Sequence, residues 1–219
     1  MSLPRPVAAV VFDMDGLLFD TEKLYGQAIL TAASELGVEM TTDVFLRFIG
    51  TPWAHNKRQM LEAYGESYPA EELRVAWMRH FKLLVEGNLD LKPGVGELLD
   101  LLDELGLPRA IATSSSHGTA EHHLGEHGLR NRFHHIVASG DYANSKPAPD
   151  PFLKAAERLG VDPRHCLALE DSLNGVRSAS SAGMMTVMVP DLIQPTAEIR
   201  DLCAMVAGSL LDVPTLLAR

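Results

Sequence analysis

The sequence holds 219 residues, 46% hydrophobic and 22% charged, a composition that excludes a disordered chain and suits one large domain or a medium domain carrying a smaller one. Lys and Arg total 19 against 29 Asp and Glu, a formal charge of −10 with no basic run, so a nucleic-acid backbone would be repelled and no nucleic-acid partner is expected. The cysteines Cys166 and Cys203 are too few for a disulfide framework, and no apolar span is long enough to cross a bilayer; the expectation is a cytoplasmic protein with no membrane partner.

The first predicted element is a strand, Val7 to Phe12, that runs into "VVFDMDGLLFDTE" and ends on two carboxylates, Asp13 and Asp15. Roughly seventy residues without a convincing strand follow, far more than a connecting loop needs. They predict an inserted helical domain over residues 18–88, with helices near Glu22–Leu36, Thr42–Phe48, Trp53–Tyr64 and Ala70–Val85. Leu24, Ala28, Leu30 and Ala32, and Trp77 with Phe81 and Leu84, are expected to bury one face of their helices. An insertion at this point of the chain could act as a lid.

Residues 1–17 and 89–219 predict an α/β core. Short strands near Ala110–Thr113, Ile136–Ala138, Cys166–Leu169 and Thr186–Val189, with a weaker one at Met205–Ala207, alternate with helices near Val95–Leu105, Thr119–His127, Pro151–Leu159 and Ser172–Ala182. Strict alternation implies parallel strands joined by crossover helices, hence a doubly wound sheet whose ligands bind at the carboxyl strand ends. His123 and His127 stand one turn apart on a polar-looking helix and read as a solvated face. No segment reads as a large exposed apolar patch, so a monomer is expected.

Four consecutive strand ends carry polar chemistry: Asp13 and Asp15; Thr113 with Ser114 to Ser116; Lys146 in "NSKPAPDP"; Glu170 and Asp171 in "LEDSLNG". Each alone could be a turn or a helix cap. Gathered on one edge, four carboxylates are costly unless a cation joins them, and an all-oxygen set suits Mg²⁺. The Thr113 and Ser114 turn offers an anion cradle and Lys146 a compact positive charge. Carboxylate nucleophile, cation, cradle and lysine together point to phosphoryl transfer.

"DMDGLLFDTE", "ATSSS", "KPAPDP" and "LEDSLNG" resemble, in order, the four motifs of the haloacid dehalogenase-superfamily hydrolases. Within them the chain resembles the beta-phosphoglucomutase-like branch with a helical cap, nearest in motif to sugar-phosphate and pseudouridine-5'-phosphate phosphatases. The resemblance implies a Rossmann-like core and a phosphatase of a small phosphorylated metabolite, either a sugar phosphate or a nucleoside monophosphate. Asp13 would be the nucleophile and Asp15 the general acid, then base. Thr113, Ser114 and Lys146 would bind the phosphoryl group, and Asp13, Asp15 through its carbonyl, Glu170 and Asp171 would hold or support Mg²⁺.

Mutases of this branch carry cap histidine, lysine and arginine where this chain has Tyr25, Ile49 and Trp53, a departure that favours hydrolysis. Glu22, Tyr25 and Trp53 are candidates for substrate specificity. A phosphosugar mutase, or a catalytically idle binding module on the same fold, are the alternatives.

Overall fold

The computed structural model describes residues 3–49, 51 and 53–217. It divides into two compact units, one holding residues up to Phe19 and from Leu91 on, the other Asp20–Asp90.

The first unit is built on a six-stranded sheet of β1 (Ala9–Phe12), β2 (Arg109–Ser116), β3 (His135–Ser139), β4 (Cys166–Glu170), β5 (Met185–Met188) and β6 (Met205–Val206), in the order β3-β2-β1-β4-β5-β6. Every pairing is parallel, with Phe12 opposite Ile111 on one side and Leu169 on the other. All four residues of β1 are buried, as a central strand covered on both faces requires. Side chains alternate along it. Ala9 and Val11 join Ala110, Ala112 and Ala168 in a cluster closed by Phe152, Ala155 and Ala156. Those last three belong to helix Asp150–Leu159, whose apolar positions at this spacing form one face. On the opposite side Phe12 meets Phe133 edge-on at 5.5 Å.

The second unit holds the helices Thr21–Leu36, Thr42–Leu46, Trp53–Tyr64 and Ala70–Val85. Its core centres on Trp77, which packs with Tyr25, Phe45 and Phe48 and donates its indole N–H to the Tyr25 carbonyl at 2.9 Å. The expected buried face is corrected at one position. Leu30 is 40% exposed, while Ile29 is buried beside Ala28, Ala32 and Ala33. Residues two apart lie on opposite sides of a helix, so Leu30 cannot share the stripe of Ala28 and Ala32.

The histidine reading is corrected too. In helix His117–Glu126 of the first unit, His123 is buried, and His127 just beyond that helix is half-buried; their rings lie 5.8 and 5.3 Å from that of Phe19. Burial lowers the pKa of His123. Because imidazole has apolar flanks, a polar-looking "HHLGEH" conceals an inward face. Cys166 is buried, and burial pushes its thiol up to about 11. Among the described residues no helix is long and apolar enough to cross a membrane.

Candidate active site

Strand β1 delivers Asp13 to the carboxyl edge of the sheet. The Asp13 N–H donates to the Leu169 carbonyl at 2.9 Å, carrying the β1–β4 ladder one residue past the strand. The alternation of "DMD" then puts Met14 into the core at 0% exposure and leaves Asp13 and Asp15 on the other side. Gly16 turns the chain with φ of 81°, a conformation that a side chain would strain. Leu17, Leu18 and Phe19 behind it are buried, which anchors the loop.

Strand β4 ends on Glu170, fully buried, with Asp171 next to it. The Glu170 carboxylate rests on the start of helix Leu173–Ser181: its Oε2 accepts from the Ser172 N–H and hydroxyl, both at 3.0 Å, while Ser172 Oγ caps the helix by accepting from Gly175 N. Positive charge at the helix N-terminus favours an anion there. Gly175 makes room for it, since a Cβ at that position would lie 1.7 Å from Glu170 Oε1.

Lys146 binds the two strand ends together. Its Nζ is 2.5 Å from Asp13 Oδ1 and 2.6 Å from Glu170 Oε1. Three further contacts hold the loop that carries it: Tyr142 OH to the Thr113 carbonyl at 3.1 Å, Asn144 N–H to Asp150 Oδ1 at 3.1 Å, and the Ser178 hydroxyl to the Ala148 carbonyl at 2.5 Å. Burial opposes the Lys146 charge, but Asp13 and Glu170 outweigh it and hold the ammonium pKa above the ordinary lysine value. For Asp13 the balance falls the other way. Burial pushes its carboxyl up to about 8, with Glu170 and Asp15 adding to the effect and Lys146 opposing it.

Asp13, Glu170 and Asp171 each offer a carboxylate oxygen, all within 4.8 Å of one another. Lys146 pairs with Asp13 and Glu170, and Asp171 brings a third buried carboxylate beside them, so the cluster suits a further cation, and hard oxygen donors suit Mg²⁺. Glu170 has both oxygens engaged, by Lys146 and by Ser172, and so serves the cluster first as the group that orients Lys146.

Strand β2 supplies the remaining side chains. Thr113 is buried, and its hydroxyl accepts from Ser115 N at 3.0 Å and lies 3.3 Å from Asp15 Oδ2; Ser114 is exposed. Thus Asp13, Glu170 and Asp171 form one cluster, which Lys146 bridges, and Asp15 and Thr113 meet beside it. Glu22, Tyr25 and Trp53 belong to the helical unit. Glu22 is half-buried in the first turn of its helix. Tyr25 packs against Trp77 and Phe81, and Trp53 lies under the Arg74 guanidinium at 4.8 Å with its indole N–H to Glu71 at 3.3 Å. Gly50 and Pro52, just before Trp53 in the sequence, fall outside the described residues.

Asp141, which belongs to none of the four sequence motifs, ties together the elements behind the site. Its carboxylate accepts from Ala138 N at 3.0 Å and from His117 Nε2 at 2.8 Å, and it pairs with Arg158 at 2.9 Å. Arg158, followed by the Ala138 N–H and His117, holds its carboxyl well below the usual carboxylate range. A depressed folded-state pKa contributes stability that is present above the unfolded value near pH 4 and lost as pH falls further. Asp141→Asn is therefore expected to melt about 2–4 °C lower than wild type at pH 7, with the gap closing below about pH 4. A constant gap in thermal melts across that range would contradict this.

Comparison with known proteins agrees with this geometry. Residues 10–189 match the family described as Haloacid dehalogenase-like hydrolase. The chain is 39% identical over 193 residues to the "Probable pseudouridine-5'-phosphatase" of Drosophila melanogaster, covering 85% of this chain and 83% of that one. It is 34% identical over 204 residues to "Hexitol phosphatase B" of Escherichia coli K12, covering 87% and 86%. A crystal structure of CbbY from Rhodobacter sphaeroides in complex with phosphate superposes with a TM-score of 0.75 at 27% identity, covering 94% of this chain and 96% of that one. The chain belongs to the haloacid dehalogenase-like hydrolases.

Proposed function

We propose that the protein is a Mg²⁺-dependent phosphatase that hydrolyses a small phosphomonoester, a sugar phosphate or nucleoside monophosphate, through an aspartyl-phosphate on Asp13. The observation that carries this reading is the buried set of Asp13, Glu170 and Asp171, the first two bridged by Lys146. The names of the relatives, a pseudouridine-5'-phosphatase and a hexitol phosphatase, and the phosphate bound in the CbbY structure support it.

In this account an Asp13 carboxylate oxygen attacks phosphorus as the bond to the ester oxygen breaks. Asp15 gives a proton to the departing oxygen, then takes one from the water that releases phosphate. Lys146, Thr113 and the Ser114 N–H hold the phosphoryl oxygens and compensate their charge. Mg²⁺, when held by Asp13, Asp171 and the Asp15 carbonyl, supplies the remaining charge neutralisation on the phosphoryl group.

Glu22, Tyr25 and Trp53 are kept as candidate selectors of the organic part of the ester. Tyr25 also packs the helical core, so Trp53→Ala is the cleaner probe: a changed ranking of esters supports selection, and a uniform change speaks against it.

Phosphate release from a panel of sugar phosphates and nucleoside monophosphates tests the function. Measurable turnover on monoesters is expected, with loss of about 10²-fold or more on chelating divalent metal, and little turnover on diesters. Turnover that survives the chelator, or strong diesterase activity, would contradict the proposal. Release of an isomerised sugar phosphate in place of inorganic phosphate would favour the mutase.

A further inference from the structure

We infer that Ser115 is a positioning residue that aims the Asp15 carboxyl at the departing ester oxygen, an inference that rests on the phosphatase reading above. Ser115 Oγ donates to Asp15 Oδ2 at 2.8 Å, and Thr113 Oγ1 lies 3.3 Å from the same oxygen. With no substrate present the Thr113 hydroxyl accepts from Ser115 N and turns its own proton to Asp15; once that proton turns to a phosphoryl oxygen, Ser115 is the donor left on Oδ2. With Oδ2 occupied by the Ser115 hydroxyl, a proton carried by this carboxyl group sits on Oδ1. Oδ1 is then the atom that delivers it.

The arrangement follows from an irregularity in β2, whose register with β3 shifts between Ala112 and Ser116; within it the Thr113 hydroxyl takes the Ser115 N–H and both hydroxyls reach Asp15 Oδ2. Local structure does not explain the Ser115 contact, because helix capping falls to its neighbour: Ser116 Oγ accepts from Thr119 N at 3.2 Å. Asp15 itself is half-buried just before the turn at Gly16, and the packing of Met14 and Leu17 fixes its backbone but not the rotation of its side chain. Without Ser115 the carboxyl would keep only the longer Thr113 contact from this pair.

The step balances simply. Asp13 oxygen bonds to phosphorus, the phosphorus–ester oxygen bond breaks with its electron pair on the ester oxygen, and that oxygen takes the proton from Asp15. A poor leaving group depends on this proton and a good one much less. The test compares kcat/KM, which covers the steps through leaving-group departure, for p-nitrophenyl phosphate and phenyl phosphate, since phenolate is the more basic leaving group.

In Ser115→Ala the ratio of the two values, nitrophenyl over phenyl, is expected to rise about tenfold; in Asp15→Asn it rises at least as far, and Ser115→Thr, which keeps the hydroxyl, restores it to within about twofold of wild type. An unchanged ratio in Ser115→Ala, whether both rates hold or fall together, overturns the inference if the ratio still rises in Asp15→Asn. A Ser115→Thr ratio as high as that of Ser115→Ala overturns it as well. If Asp15→Asn leaves the ratio unchanged, the failure lies in the acid role of Asp15 itself.

Discussion

Asp13→Asn is expected to lower kcat on p-nitrophenyl phosphate by about 10⁴-fold or more, and to raise the melting temperature of the metal-free protein at pH 8 by about 2–6 °C. The first effect follows because an amide cannot bond to phosphorus in place of a carboxylate. The second follows from the charge balance. Asp13 and Glu170 share the Lys146 ammonium, and burial, helped by Glu170 and Asp15, raises the Asp13 carboxyl to about 8. Between about pH 4 and about pH 8 the folded protein then binds a proton that the unfolded chain has released. Wild-type stability falls as pH rises through that window, and the cost is complete above it. Asparagine removes the cost, so the gain should grow from near zero at about pH 4 through about pH 8 and level off above it. Added Mg²⁺ should stabilise wild type more than Asp13→Asn. Thermal melts with chelator across this pH range check the prediction; a variant less stable than wild type at pH 8 would contradict it.

Gly175→Ala is expected to destabilise the protein by about 3–5 kcal/mol and to reduce turnover by about 10²-fold or more. Its Cβ would lie 1.7, 1.8 and 2.1 Å from Glu170 Oε1, Cδ and Oε2. The methyl group cannot move, because it grows from the first turn of helix Leu173–Ser181, so Glu170 must leave. Its departure breaks the contacts to Lys146 and Ser172 and leaves a fully buried carboxylate without them. In chemical denaturation the double variant Gly175→Ala with Glu170→Ala should lose little beyond Glu170→Ala alone, since the methyl then meets no carboxylate. Additive losses would show that the glycine acts elsewhere.

The sheet was legible because its strands are covered on both faces and therefore read as short apolar runs, each closed by Gly, Pro, Ser or an acidic residue; the order β3-β2-β1-β4-β5-β6 is the parallel, doubly wound sheet those runs implied. Parallel strands end on one edge, so noting which residues follow each run was enough to bring Asp13, Lys146, Glu170 and Asp171 together on paper. What escaped depends on contacts between residues distant in the chain. Nothing local distinguishes the hydroxyl of Ser115, turned to Asp15, from that of Ser116, turned to a helix end, because the register of β2 shifts across these residues. Gly175 looks like any helix glycine until Glu170 is placed against it. Asp141 reads as a turn aspartate, and only the fold brings Arg158 and His117 to it. His123 was misread because a buried imidazole has the same letter as a solvated one.

The central claim is that Asp13 becomes covalently phosphorylated. A single turnover of an ester radiolabelled in its phosphoryl group, quenched in acid and digested, tests it directly. The label should appear on the peptide that contains Asp13, be released by hydroxylamine as an acyl phosphate is, and be absent from Asp13→Asn. Label on another side chain, or turnover with no protein-bound label at any time, would contradict the account.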